Sequence, residues 1–269
     1  MNKLISFLKR RLLKFKFTSE YILYKKPKDF EDLKNLNAED LYSSMFYYFH
    51  KFLGKDLKRL RGYFNSEFRG FGEDAFFSMW YFIFKTYKPK NILEIGVYRG
   101  QSLALFQLLS DQNNIKASIT GVSPFTNIGD EYSEYLEIDY VDDIKKNFKQ
   151  FNLKLPNLVQ GFSQDEKIIE FIKSRKWDLI YVDGSHDYNI VINDLKLSAD
   201  NLNKGGVLAI DDSNNGKNFN FELIQKKFDI LSSDGHQGPT SALEKLLQDR
   251  EDLKKIISVG HINFLIKLI

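Results

Sequence analysis

The 269-residue chain contains no cysteine, which excludes a disulfide scaffold and any thiolate metal site. A metal ion here must be held by oxygen or imidazole, and imidazole is scarce: the histidines are His50, His186, His236 and His261. No stretch of about eighteen or more apolar residues occurs, so hydropathy argues against a transmembrane helix. Charge of one sign is also missing. Lys and Arg total 39 against 36 Asp and Glu, and a net charge of +3 is too small for a surface that answers to phosphate. Nucleic acid is therefore not an expected partner. There is no internal repeat and no low-complexity linker. Absent cysteine agrees with a reducing compartment, and the expected location is the cytoplasm, free or peripheral at the inner membrane surface.

Residues 1–16, MNKLISFLKRRLLKFK, carry six basic side chains and no acidic one. Met1, Leu4, Ile5, Leu8, Leu12 and Phe15 share one helical face, with Lys3, Lys9, Arg10, Lys14 and Lys16 around it. The basic run at residues 9–11 interrupts the apolar sequence, against a secretory signal. Two uses of this helix stay open: packing on its own domain or a second subunit, or lying on an anionic membrane surface. Residues 17–90 are rich in Phe and Tyr with helical periodicity. The segment RGYFNSEFRGFGED reads as a loop into a helix over 74–87, with Glu67 and Arg69 in surface ion pairs or, alternatively, facing a ligand.

From Lys88 onward, short β-branched or aliphatic runs at 91–97, 118–124, 157–162, 178–184 and 206–212 alternate with helical stretches near 101–112, 142–152, 164–175 and 189–203. That alternation predicts right-handed βαβ units, hence a doubly wound α/β fold with a mostly parallel sheet covered on both faces. The tail predicts a helix near 241–250 and then two strands in a hairpin. The expected division is a helical N-terminal region over 1–75 and a ligand-binding α/β domain over 76–269. In such sheets ligands bind beyond the carboxyl ends of the strands.

The first strand runs into Glu94-Ile95-Gly96-Val97-Tyr98-Arg99-Gly100-Gln101-Ser102 and then a helix. The two glycines allow a tight turn beside a helix N-terminus whose free N–H groups favour a carboxylate or phosphate. The spacing is not G-x-G-x-x-G, which argues against a dinucleotide pyrophosphate. At the end of the second strand, where an acidic residue would take both ribose hydroxyls, the chain has Ser123, so another group such as Asp130 is expected to contribute.

The fourth strand ends in Asp183-Gly184-Ser185-His186-Asp187 and the fifth in Asp211-Asp212. These strands are expected neighbours, so Asp183, Asp211 and Asp212 can converge. Three like charges in one crevice call for a cation, and all-oxygen ligation suits Mg²⁺ or another divalent ion. His186 faces the same crevice as a candidate general base, or as a loop histidine bonded to Asp187. The aspartates could otherwise cap helices and close turns.

The segment from Asn91 to Asn214, with LEIGVYRGQS, VDGSHDY and GGVLAIDD, resembles class I S-adenosylmethionine-dependent methyltransferases. These motifs are similar to those of the metal-dependent O-methyltransferases that act on sugar hydroxyls in macrolide and other natural-product pathways. The resemblance implies a seven-stranded Rossmann-like methyltransferase sheet. It implies Asp183, Asp211 and Asp212 as metal ligands and His186 as the base. Cofactor contacts are implied for Glu94, Gly96, Tyr98, Gly100, Ser102, Ser123 and Ser163, and 236–247 looks like a substrate-side segment. The function so implied is Mg²⁺-dependent transfer of methyl from S-adenosylmethionine to a hydroxyl of a sugar, in a glycan or a glycosylated metabolite. Alternatives are a catechol-like acceptor, or a non-catalytic, membrane-associated nucleoside-binding scaffold. Homo-oligomerisation is open.

Overall fold

A computed structural model describes residues 19–129, 136–214, 219–230 and 234–268. The basic helix expected at 1–16, and Asp130, lie outside the described residues. Among the described residues, no helix is long and apolar enough to cross a membrane.

The aromatic-rich N-terminal sequence forms helices α1 (Ser19–Leu23), α2 (Ala38–Lys51), α3 (Lys55–Phe64) and α4 (Asp74–Tyr87). Asn37 starts α2 by accepting the backbone N–H of Asp40 at 2.8 Å, which satisfies one of the donors left free at a helix start. The expected loop between the aromatic runs begins later than its polarity suggested, because Arg61–Phe64 still belong to α3. Leu57, Leu60 and Phe64 recur at three- and four-residue spacing, and their burial holds that last turn in the helix.

The sheet has seven strands in the order β3-β2-β1-β4-β5-β7-β6. They are β1 (Asn91–Ile95), β2 (Ser118–Ser123), β3 (Asn157–Gln160), β4 (Trp177–Val182), β5 (Leu202–Ile210), β6 (Leu253–Val259) and β7 (Ile262–Lys267). β1 to β5 pair in parallel, while β7 runs antiparallel to both β5 and β6, so the tail is the expected hairpin. Between strands lie α5 (Gln101–Gln112), α6 (Tyr140–Gln150), α7 (Glu166–Lys173) and α8 (Tyr188–Asn201). After β5 come α9 (Phe221–Phe228), which was not anticipated, and α10 (Gln237–Asp249). β5 also starts earlier than its aliphatic run suggested, since Leu202 already pairs with Trp177.

Two apolar cores cover the sheet. Ile92, Leu179, Tyr181, Val207 and Ala209 join one face to α2–α6 and α9, whereas Leu93, Ile180, Val182, Leu208 and Ile210 join the other to α7, α8 and α10. Alternate residues of one strand go to opposite cores, as the two-residue period of a strand requires. Trp80 of α4 is edge-on to Phe106, Tyr181 and Phe264, with ring centroids 4.7, 5.2 and 5.1 Å away. Burying a side chain of this size stabilises the fold by about 1.5–3 kcal/mol, so the N-terminal helices are built into the first core.

Parallel pairing continues one residue past several strand ends. Gly96 N–H donates to Val122, Asp183 N–H to Ile95, Asp211 N–H to Val182 and Gly161 N–H to Ser123, at 2.8 to 3.0 Å. Those bonds fix where the loops leave the sheet. They set Gly96, Asp183 and Asp211 side by side along its carboxyl edge.

Candidate active site

A cleft of about 1050 Å³ opens at that edge, and the residues expected to hold cofactor or metal or to act as base line it: Glu94, Gly96, Tyr98, Gly100, Ser102, Ser123, Ser163, Asp183, His186, Asp211 and Asp212. Gly96 has φ +94°, and a Cβ there would stand 2.0 Å from the carbonyl oxygen of Asp183. Its lack of a side chain thus lets the β1 and β4 loops touch, a closer constraint than approach to a ligand. Gly100, also at positive φ, starts α5 with its free N–H groups at the cleft.

Glu94 is buried and accepts a hydrogen bond from Ser102 Oγ. Its Oε2 is buried with no hydrogen-bond partner. Burial pushes the Glu94 carboxyl up to about 8, against the Ser102 bond and with help from the charge of Asp211. A buried carboxyl with one unsatisfied oxygen beside a helix N-terminus is suited to a ligand carrying an ammonium and a carboxylate.

The three aspartates lie at the foot of the cleft. Asp211 is the most engaged: Tyr181 Oη donates to its Oδ2 at 2.8 Å, Asp212 N–H to its Oδ1 at 3.0 Å, and His261 Nε2 lies 3.2 Å from Oδ1. Burial would raise Asp211, but the charge and hydrogen bond of His261 hold it below the usual carboxylate range. His261, although buried, is raised to about 10 by Asp211 and stays charged at neutral pH. Asp183 shares a hydrogen bond with Asp211. It is raised well above the usual range by burial, then by Asp211, Glu94 and Asp212. Asp183 and Asp211 thus meet at the cleft, while the ligand atoms gathered around Asp211 are those of Asp212 and His261, and the carboxylate oxygens among these groups suit a hard ion.

His186 does not pair with Asp187, which instead starts α8 by accepting the N–H groups of Asn189 and Ile190 at 2.8 and 3.2 Å. Its partner is Asp212, with Nε2 3.0 Å from Oδ2. Asp212 has φ +48°, a left-handed conformation that Asp tolerates better than most residues. His236 adjoins the pair, its ring centroid 4.2 Å from that of His186. Two sets bring their ligand atoms within 4.8 Å of one another: His186, Asp212 and His236, and Asp211, Asp212 and His261.

The remaining expected contacts are also placed. Ser123 Oγ donates to the Val97 carbonyl at 3.0 Å, so this hydroxyl braces the glycine loop. Ser163 Oγ donates to Asp194 Oδ2 at 3.0 Å, and burial raises Asp194 to about 7. Tyr98 packs on Phe71 and Tyr140 in the cleft wall, with centroids 5.3 and 5.7 Å away. Glu67 and Arg69 pair with each other, as expected, and half-buried Arg69 also lines the cleft. Sequence reasoning placed His236 only within a substrate-side segment and missed Tyr181, Asp194 and His261. His261 could have been found, because an antiparallel strand beside β5 must begin where β5 ends.

Residues 93–213 match the methyltransferase domain family. A curated relative, uncharacterized protein R132 of Acanthamoeba polyphaga mimivirus, is 32% identical over 124 residues, 45% of this chain and 50% of the relative. The chain thus spans about half the length of that relative. Among solved structures, methyltransferase PaMTH1 of Podospora anserina, bound to SAH, has a TM-score of 0.56 at 17% identity, covering 90% of this chain and 98% of that one. An O-methyltransferase from Bacillus cereus with SAH has a TM-score of 0.56 at 14% identity, covering 85% and 100%. The O-methyltransferase TomG of Streptomyces achromogenes, with SAM, has 0.54 at 13% identity, covering 87% and 99%. At these identities the likeness speaks to the fold.

Proposed function

We propose, from the premise that residues 93–213 form a methyltransferase domain on the class I fold, that this protein transfers methyl from S-adenosylmethionine to a sugar hydroxyl with the help of Mg²⁺. The observation that carries the proposal is the shared cleft. A histidine held by a carboxylate stands beside the adjoining Asp183 and Asp211, and both face the cleft into which Glu94 opens. When bound, the sulfonium cofactor supplies the activated methyl group and the cation lowers the pKa of the acceptor hydroxyl.

Glu94 would take the ammonium of the cofactor's amino-acid end, and the N–H groups at the start of α5 its carboxylate. Asp183, Asp211 and Asp212 would hold the cation. His186 would accept the acceptor's proton, and Asp212, 3.0 Å away, would orient the ring and stabilise it once charged. His261 and Tyr181 would keep Asp211 ionised and fixed. The cleft lies at the upper end of the roughly 300–1,000 Å³ typical of small-molecule sites, in keeping with a cofactor and an acceptor side by side.

Acceptor class is supported by the pairing of polar groups with exposed Phe68 and Phe71, which line the same cleft and offer apolar faces to a sugar ring. The same aromatic wall favours, as a second reading, a planar catechol-like diol. Transfer of labelled methyl to nucleotide sugars and to catechols, with and without EDTA, separates them. Label on a sugar, abolished by EDTA and restored by Mg²⁺, is the expected result; label on catechols alone would replace the acceptor. No transfer to either class would reject both.

A further inference from the structure

We infer that His186, Asp212 and His236 form an inhibitory site for a borderline divalent ion of the Zn²⁺ type, which on binding occupies the base. The inhibitory role rests on the reading of His186 as that base; the ion site does not.

The donor set differs in kind from the three carboxylates. Two imidazoles and one carboxylate suit Zn²⁺, Co²⁺ or Ni²⁺, whereas Mg²⁺ prefers oxygen and retained water. Donor atoms of all three side chains lie within 4.8 Å of one another. The 3.0 Å between His186 Nε2 and Asp212 Oδ2 is close to the separation of neighbouring ligands on an ion with bonds of about 2.0–2.1 Å.

His236 is built into place. Its N–H donates to the Asp212 carbonyl at 2.8 Å, and Thr240 Oγ1 donates back to the His236 carbonyl at 2.7 Å. Two residues on, a Cβ at Gly238 would stand 2.0 Å from the His186 carbonyl oxygen, so only glycine lets this segment lie against the β4 loop. Backbone contacts therefore tie residues 236–238 to both partner ligands. The three side chains are half-buried and His186, Asp212 and His236 all line the open cleft, which gives an ion an entry path. Proton removal from an acceptor uses His186 and Asp212 and leaves His236 without a part.

Metal-stripped protein titrated with Co²⁺ and followed by visible absorption, with Zn²⁺ as competitor, tests the site without cofactor or acceptor. His236→Asn keeps a good helix-starting residue before α10, and His236→Gln is the second variant, each checked by circular dichroism. Wild type is expected to bind one equivalent of Co²⁺ that Zn²⁺ displaces. Both variants should weaken binding by at least about tenfold, since even outer-shell changes cost that much. In the transfer assay the turnover that remains with Mg²⁺ should no longer be sensitive to Zn²⁺. Co²⁺ binding as tight in the variants as in wild type, or none in wild type at tens of micromolar, would overturn the site. Binding that depends on His236 in a protein with no methyl transfer would overturn the catalytic reading and leave the ion site standing.

Discussion

Binding of the cofactor's amino-acid end should release a proton, and Glu94 is its source. In the free protein this buried carboxyl is raised to about 8. At pH 7 it is then about 90% protonated. An ammonium beside the open Oε2 favours the ionised form and draws the carboxyl back toward about 4.5, so about 0.9 proton leaves per molecule bound. The sign follows: binding selects ionised Glu94, so affinity rises with pH until the free protein's carboxyl has ionised. From pH 5.5 to 7 the gain is about thirty-fold, close to tenfold per unit. The range stops at 7 because the free protein's carboxyl ionises near 8 and the slope flattens there. Calorimetry with S-adenosylhomocysteine in buffers of different ionisation enthalpy measures the release directly. Glu94→Gln should abolish both the release and the slope. A flat affinity across this range, or no proton released at pH 7, would refute the reasoning.

Three further outcomes are expected. His186→Ala should lower turnover by about 10²–10⁴-fold and leave S-adenosylhomocysteine affinity nearly unchanged by calorimetry, because the ring acts on the acceptor. Asp183→Asn should first raise the Mg²⁺ concentration needed for half-maximal transfer, measured by titration after EDTA treatment. His261→Leu should leave Asp211 buried without its counter-charge, costing about 3–5 kcal/mol and lowering the melting temperature by about 10 °C in calorimetry. The wild-type pair has a pH signature as well. A histidine raised from 6.5 to about 10 contributes stability that is full below pH 6.5 and lost as pH rises through 10, and the variant should lack that limb.

Much of the sheet was legible in the chain because parallel strands buried on both faces appear as short aliphatic runs, as in Asn91–Ile95 and Trp177–Val182. Where each run ends in Gly or Asp, the residues beyond it belong to the cleft, which is why the candidate ligands could be named at all. The limits have physical causes. The partner that local sequence offers His186 is its neighbour Asp187, whereas the bond to Asp212 spans 26 positions and depends on how the β4 and β5 loops leave the sheet. Local pattern cannot carry that distance. His236 and His261 enter through a helix start and a hairpin turn whose positions depend on strand order, and Asp194 sits in a helix where an acid ordinarily faces water. The start of β5 at Leu202 was hidden by polar residues that read as the end of a helix.

The central claim is that Asp183, Asp211 and Asp212 gather a hard cation beside His186. A crystal structure with S-adenosylhomocysteine and Mn²⁺, using the anomalous signal of the metal, tests it most directly. The expected map has one peak within about 2.3 Å of carboxylate oxygens of these aspartates, with His186 left uncoordinated and turned to the cleft. No peak there at saturating Mn²⁺, or aspartates still bonded to each other with the ion elsewhere, would contradict it.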